Sequence, residues 1–552
     1  MAEESTTKLL EYVQYAAFLV LIWFIALYSY RFTLHPLSKY PGPKLALVSD
    51  WYTVFYTLQK RLHLVTFRDH QRYGPVIRHG PNKLVFSSYK ALHDIYQSER
   101  TNKVNSYLAT QIRSDLYSVF NCLDKRLHKI KRRMISKALS EQKMRQFEPL
   151  MREHIDMFLK QLLRASRNNE PVDMSDRCKR LGVDIIGRFA FGYRLELQTS
   201  NSTQTITHTI YYLHTYHPPA YSNKNDFFVP GLIGASYMKN VRMQWLGVRW
   251  FVVELLFPSL YALRLKYFYL LKKMVKDRLA EGKTANEDLF SYVMDAKDPE
   301  TGTKMRLGEL VSEATFFFPA GGDTTATTIS AVFFYLSRNP ACYQKAISEI
   351  RRAFSSGVEI QSGPRLSGCL YLRAVIDEAL RICPPTPGTL WRELPVGDQG
   401  REEPLVVDGH AIPAGTWVGV NAYTIHHNEE YFPDPFAFKP ERWLDEGDTS
   451  EAIAARKNLR EAFSPFSVGP RSCIGKAMAY MEASLTLALT MWYFDFSAPD
   501  DERLSKIGGG TPGDKKGRHR VNEFQTHDKF VSSHDGPYLM FKPRDDTQGD
   551  LE

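Results

Sequence analysis

Phe466-Ser-Val-Gly-Pro-Arg-Ser-Cys473-Ile-Gly475 is the stretch on which the reading of this 552-residue chain turns. One cysteine stands between Gly469 and Gly475, and both glycines let backbone approach something flat and bulky. Arg471 offers a forked guanidinium to an anionic group. The pattern over 476–492 predicts a helix, whose positive N-terminal end favours a thiolate just before it. A nucleophilic cysteine would want a nearby base, and the local sequence holds none. The other cysteines (Cys122, Cys178, Cys342, Cys369 and Cys383) form no C-x-x-C pair with it or with one another. A lone thiolate fits a metal whose remaining ligands come from a cofactor. The plainer alternative is a cysteine buried at a helix start.

Outward from this loop, helical patterns dominate between about 85 and 390. Short strand signals lie at 76–78, 84–87, 405–407, 417–420 and 538–542. No repeat or long linker interrupts the body, so one helix-rich, mostly α (α+β) unit is expected, not a βαβ series. Glu378-Ala-Leu-Arg381 lies on a helical run at 370–382 that Pro384-Pro385 closes, which puts both charges on one face. A long helical pattern spans 307–338, with Pro319-Ala-Gly-Gly-Asp-Thr-Thr325 at its middle. Pro319 removes a backbone donor and two glycines weaken the next turn, so the helix is expected to kink or open there. A packing kink explains the glycines but not an acid beside a hydroxyl.

The pattern F-x-x-G-x-R-x-C-x-G matches, at every fixed position, the haem-binding loop of the cytochrome P-450 superfamily, and the chain resembles that family along essentially its whole length. The resemblance implies that Cys473 is the axial thiolate of haem b iron, that Arg471 bonds a haem propionate and that Phe466 lies against the sulfur side. Thiolate ligation pushes electron density onto iron. Glu378 and Arg381 would pair with Arg442 of Pro440-Glu-Arg442-Trp443 in a buried structural triad. Ala320, Gly321, Gly322, Asp323 and Thr324 match the family's oxygen-binding groove, with Thr324 assisting oxygen activation and Asp323 relaying protons. Pro387-Gly-Thr-Leu-Trp-Arg392 resembles the strand whose arginine binds a propionate, with Thr389 and Leu390 looking into the pocket. In the basic helix at 124–134, His128 and Arg132 stand where the family has Trp-x-x-x-Arg. The histidine departs from that pattern, which leaves Arg132 the better propionate partner. Phe316 and Phe317, one turn before the groove, imply an apolar substrate.

The likeness is greatest to fungal microsomal members that tailor secondary metabolites. It implies a monooxygenase that hydroxylates or epoxidises a lipophilic small molecule, using O2 and NADPH-derived electrons from NADPH-cytochrome P-450 reductase, with cytochrome b5 as a second donor. A haem-thiolate isomerase or dehydratase and a non-catalytic haem-binding protein are the rivals. Asp323 with Thr324 argues against both.

Composition agrees with a globular body: 43% of residues are apolar and 24% charged, which excludes disordered and fibrous classes. Residues 12–30 carry no charge, and nineteen residues of helix span roughly 28 Å, near the thickness of a bilayer's hydrocarbon. The acidic leader (Glu3, Glu4 and Glu11 against Lys8) argues against a cleaved signal. Arg31, Lys39 and Lys44 place the body of the chain in the cytosol. The expected organisation is a lumenal 1–11, a transmembrane anchor at 12–30, a stiff proline-rich elbow at 31–49, a catalytic domain at 50–545 and a tail at 546–552. The protein is thus expected in the endoplasmic reticulum membrane, single-pass, and the sequon at Asn201 would face the cytosol. The net charge of +10 includes Lys125, Arg126, Lys129, Lys131, Arg132 and Arg133 within nine residues, a solvated helix face or a reductase dock. These cations are not interleaved with stacking aromatics, so no nucleic acid is expected. The aromatic tract 245–269 reads either as a bilayer-dipping segment or as core. Gly508-Gly-Gly-Thr-Pro-Gly513 reads as a basic surface loop, since no strand precedes it and no helix comes after it.

Overall fold

The long 307–338 pattern folds as helix Leu307–Phe318, one π-helical turn Pro319–Asp323, and helix Thr324–Arg338. Proline and paired glycines open the helix in the middle, as their backbone chemistry requires. This is a computed structural model, and it describes residues 2–199, 225, 227–245, 247, 250–282, 288–294, 302, 304–395, 404–444, 447–544 and 548–551. The sequon at Asn201 lies outside these residues, as do Leu246, Val248 and Arg249 of the aromatic tract.

Helices Met174–Phe191, Leu370–Ile382 and Lys476–Tyr493 pack against this central helix, and Glu141–Arg167 packs in turn on the first and last of them. Their buried faces, among them Ile155, Leu181, Val332, Phe333, Val375 and Leu487, form one main core. Approach is closest at the open turn, where a Cβ on Gly182 would lie 2.6 Å from the Gly322 carbonyl oxygen.

The sheets are small and lie beside the helices. The largest has five strands in the order Val76–Gly80, Lys83–Phe86, Trp417–Val420, Arg392–Glu393, Asn102–Lys103. Strands Leu405–Val407 and Trp417–Val420 form as expected, and the other three expected strands shift or extend by one or two residues. The two-residue strands Asn102–Lys103 and Arg392–Glu393 leave no trace in the sequence because two residues carry no alternation; only their partners define them.

The N-terminal helix runs over Ala2–Thr33, longer than the expected 12–30. Lys8–Thr33 is long and apolar enough to cross a membrane; among the described residues its apolar stretch is uncovered, and only its C-terminal end, at Arg31, meets the body of the protein. The elbow differs from a plain stiff extension. It holds a short helix, Lys44–Val48, behind Pro43, and it packs on the first strand through Arg78 N–H to the Pro41 carbonyl at 2.7 Å. At the far end, Gln548–Leu551 forms a turn that buries Leu551 in the main core.

Candidate active site

Loop 466–475 is held from both ends. Cys473 N–H donates to the Phe466 carbonyl at 2.8 Å and Ser472 N–H to that of Gly469 at 3.0 Å, and helix Lys476–Tyr493 starts directly behind. Gly469 has φ +77°, and a Cβ there would sit 2.0 Å from the Tyr96 carbonyl oxygen. The bulky neighbour that this glycine admits is therefore protein backbone. Gly475 has φ −89° and meets nothing nearer than Cys473 Sγ at 4.0 Å.

Cys473 is the one exposed cysteine, and what it is exposed to is an internal cavity of ≈ 340 Å³, within the range of small-molecule sites. Burial pushes its thiol pKa up, against the Gly475 N–H and the charges of Arg132 and Lys476. The expected thiolate is thus not secured by the helix end. A coordinated metal would favour the thiolate.

Around the cysteine the cavity is lined by Lys103, His128, Arg132, Arg392 and Arg471. The five-stranded sheet pairs Lys103 with Arg392 directly. Arg392 donates to the Trp391 carbonyl at 2.9 Å and Arg132 to that of Ser472 at 2.6 Å. Arg471 donates to the carbonyls of Cys122 and Leu123 and to Asn102 Oδ1. Lys103 donates to the Phe120 carbonyl and lies 4.3 Å from that ring. Among the described residues none of the four is paired with a carboxylate. Burial and then Arg392 and Arg471 hold the Lys103 pKa well below its usual value, and burial with the same group of cations takes His128 down to about 3. His128 is therefore neutral. Three enclosed guanidiniums without a counter-charge are costly, beside a lysine biased toward its neutral form, and a flat group bearing two carboxylates would relieve them. The haem implied by the loop fits that description.

A model of the cytochrome P-450 family matches residues 41–511. The chain belongs to the cytochrome P-450 family. It is 35% identical to cytochrome P-450 monooxygenase AKT7 of Alternaria alternata over 95% of this chain and 96% of that one. It is 32% identical to monooxygenase apf7 of Gibberella fujikuroi (95% and 98%), and 30% identical to atnE of Emericella nidulans (93% and 93%). This P-450 is accordingly a haem-thiolate monooxygenase that uses O2 and electrons passed on by a redox partner, with NADPH the usual donor.

In this P-450 the open turn of the central helix lines the same cavity as the cations, through Ala320, Gly321 and Thr324. Thr324 Oγ1 donates to the Ala320 carbonyl at 2.6 Å, closing the turn on itself. Asp323 points away from the cavity. It is 4% exposed, and among the described residues its Oδ1 has no hydrogen-bond partner. Burial raises its pKa to about 6, with Lys179 and Lys529 pulling the other way. Both proton states are then reachable near neutral pH, as a relay needs. A raised carboxyl pKa means that ionisation works against the folded state, so stability falls as pH climbs from the unfolded value through about 6. Asp323→Asn escapes this. Its advantage over the parent, read from denaturant midpoints, is expected to grow by about 1 kcal/mol between about pH 5 and about pH 8. An advantage that shrinks with pH would contradict the assignment.

Phe316, Phe317 and Leu390 line the apolar end of the cavity, with Phe316 stacked on Phe120 at 4.9 Å. Thr389 does not look into it. Its methyl packs on strand Trp417–Val420, at 2.5 Å from where a Cβ of Gly419 would stand, and its backbone bridges to Asn421.

Behind the loop, Glu378 is fully buried. It accepts from Arg381 Nε and Nη2, both at 2.9 Å, from Arg442 Nε at 3.0 Å, from Trp443 Nε1 at 2.9 Å and from Lys439 N–H at 3.0 Å. Burial alone would raise its pKa, but Arg381 and then Arg442 outweigh burial and lower it. Arg381 also donates to the His426 carbonyl at 2.8 Å, and His426 Nε2 accepts the Ser464 N–H at 3.0 Å. Burial takes the His426 pKa to about 3, so the ring stays neutral and keeps that acceptor. The triad is thereby tied to the segment leading into Phe466. Sequence reasoning missed both His426 and Lys103, since neither belongs to a spaced motif.

Proposed function

We propose that this P-450 hydroxylates or epoxidises a lipophilic small molecule as a tailoring step of secondary metabolism. One observation carries the reading: a single cavity joins an accessible cysteine, three guanidiniums that have no carboxylate partner among the described residues, the open turn with Thr324, and apolar side chains. Cys473 would ligate the haem iron, Arg132, Arg392, Arg471 and Lys103 would hold its propionates, and Phe466 would pack beside the thiolate. Bound haem supplies the oxygen chemistry. Thr324 can release the Ala320 carbonyl and turn its hydroxyl into the cavity, while Asp323 exchanges a proton at its free oxygen. Phe316, Phe317 and Leu390 hold the substrate and exclude water.

The same reading places the protein in the endoplasmic reticulum membrane, single-pass, with lumenal residues 1–11 and a cytosolic catalytic body at 50–545. A second apolar surface supports membrane contact. Leu45, Trp51 and Phe55 are exposed near the anchor, and Trp51 lies 4.5 Å from Trp245. Beyond Trp245, helices Trp250–Leu256 and Pro258–Glu281 expose Leu255, Leu256, Leu265 and Tyr269 while burying Val253 and Tyr267. The aromatic tract is thus core on one side and exposed apolar surface on the other.

NADPH-cytochrome P-450 reductase, with cytochrome b5 as second donor, is assigned to the basic helix Lys125–Ala138. That face is narrower than six cations. Lys131 is buried and paired with Glu313 at 3.0 Å, and Arg132 reaches the cysteine loop. Lys125, Arg126, Lys129 and Arg133 remain exposed, with Lys137. The double reversal Lys129→Glu with Arg133→Glu is expected to slow reductase-supported turnover roughly tenfold at low salt without altering the thiolate spectrum. The deficit should fade at high ionic strength. Equal turnover at low salt would remove the docking assignment.

The decisive test is the reduced carbon monoxide difference spectrum of the full chain beside Cys473→Ser. A strongly red-shifted Soret band in the parent alone is expected. Its absence from folded, haem-loaded parent would overturn the reading.

A further inference from the structure

One charge at the apolar end of the cavity has no part in the proposed oxidation. Helix Phe228–Gln244 presents Ser236, Lys239 and Met243 to the cavity, at the i, i+3 and i+7 spacing of a single helical face. The Lys239 ammonium lies 5.9 Å from the Phe268 ring centroid, and among the described residues it has no hydrogen-bond or ion-pair partner. Among the described residues the neighbouring acids are committed elsewhere. Glu254 takes Arg242 and Arg264, the latter at 3.1 Å. Asp528 accepts from Asn240 at 3.3 Å and from Phe530 N–H at 3.1 Å. Arg242 and Arg264 both turn to Glu254, and Lys239 has no part in that pairing.

Burial, and then the charges of Arg264 and Arg242, bring the Lys239 pKa down to about 7. An anion beside an enclosed lysine of this kind would hold it in its charged form. Phe120, Phe316, Met243 and Phe530 line the same space, so an anion that reached Lys239 would carry an apolar body behind it. Resting on the monooxygenase reading, we propose that Lys239 binds a carboxylate of the substrate, which makes the substrate an amphipathic acid. Its head group is held at helix Phe228–Gln244 and its apolar chain lies along the phenylalanines. The head group fixes which carbon faces the haem side.

The test uses the haem-loaded full chain titrated with dodecanoate, methyl dodecanoate and 1-dodecanol, with binding read from the Soret shift and by calorimetry. The parent is expected to bind the acid roughly tenfold more tightly than the ester or the alcohol, as a charge-assisted contact warrants. Lys239→Met should bind all three within about twofold, and Lys239→Arg should restore the preference. Lys239→Gln replaces the methionine variant if that variant fails to load haem. Equal affinity for acid and ester in the parent, or a preference that survives Lys239→Met, overturns the proposal. A parent that binds none of the three overturns the lipophilic-site assignment, and a parent without the thiolate spectrum overturns the monooxygenase reading. These failures are distinguishable from one another.

Discussion

Glu378→Ala is expected to destabilise the chain by about 3–5 kcal/mol and to abolish recovery of the thiolate spectrum. Arg381 is fully buried and spends two donors on Glu378, so removing the carboxylate leaves an uncompensated guanidinium where water cannot reach it. Arg442, Trp443 Nε1 and Lys439 N–H lose their acceptor in the same step. A loss of this size takes a large part of the stability of an ordinary domain. The displacement passes through His426 to Ser464 and so to the cysteine loop. Denaturant midpoints and haem incorporation measure the two effects separately. A Glu378→Ala protein within about 1 kcal/mol of the parent would show that the triad is a bystander.

Gly469→Ala is the second large effect, and its cause is steric. The new methyl would stand 2.0 Å from the Tyr96 carbonyl oxygen, 2.8 Å from its carbon and 3.1 Å from Gln97 Cα, all rigid backbone. The positive φ adds strain of its own. Together these are expected to cost about 3 kcal/mol or more and to shift Cys473 and Arg471 with the loop. The reduced carbon monoxide band should fall even in protein whose circular dichroism is unchanged. Gly475→Ala, which meets no backbone, should leave the packing of the loop intact. A normal spectrum from Gly469→Ala would mean that the loop can move off helix Tyr89–Tyr96 without consequence.

These two residues also show how far the sequence could be read. The triad was legible because Glu378 and Arg381 share one face of a helix whose limits, Leu370–Ile382, come from local pattern and a closing Pro-Pro. The opening of the central helix was legible because Pro319, Gly321 and Gly322 act on their own turn. Gly469 is recognisable as necessary, but the neighbour it admits is the carbonyl of Tyr96 and not the expected cofactor. Thr389, expected in the pocket, turns onto Gly419 through an isolated bridge to Asn421, a partner some 30 residues away that local pattern cannot show. Lys131 reads as one surface cation among six. Only the approach of Glu313, which also takes the Val119 N–H at 3.0 Å, turns it inward.

By itself, the sequence determined the family, the cysteine loop, the triad and the apolar N-terminal helix, since each rests on backbone chemistry or spacing within one short segment. Tertiary structure alone decided which charges are buried. Lys103 reaches the cavity because its strand pairs with Arg392, and Lys239 reaches it because one face of helix Phe228–Gln244 does. The cost of an enclosed charge depends on everything that displaces water around it, and those groups come from segments far apart in the chain.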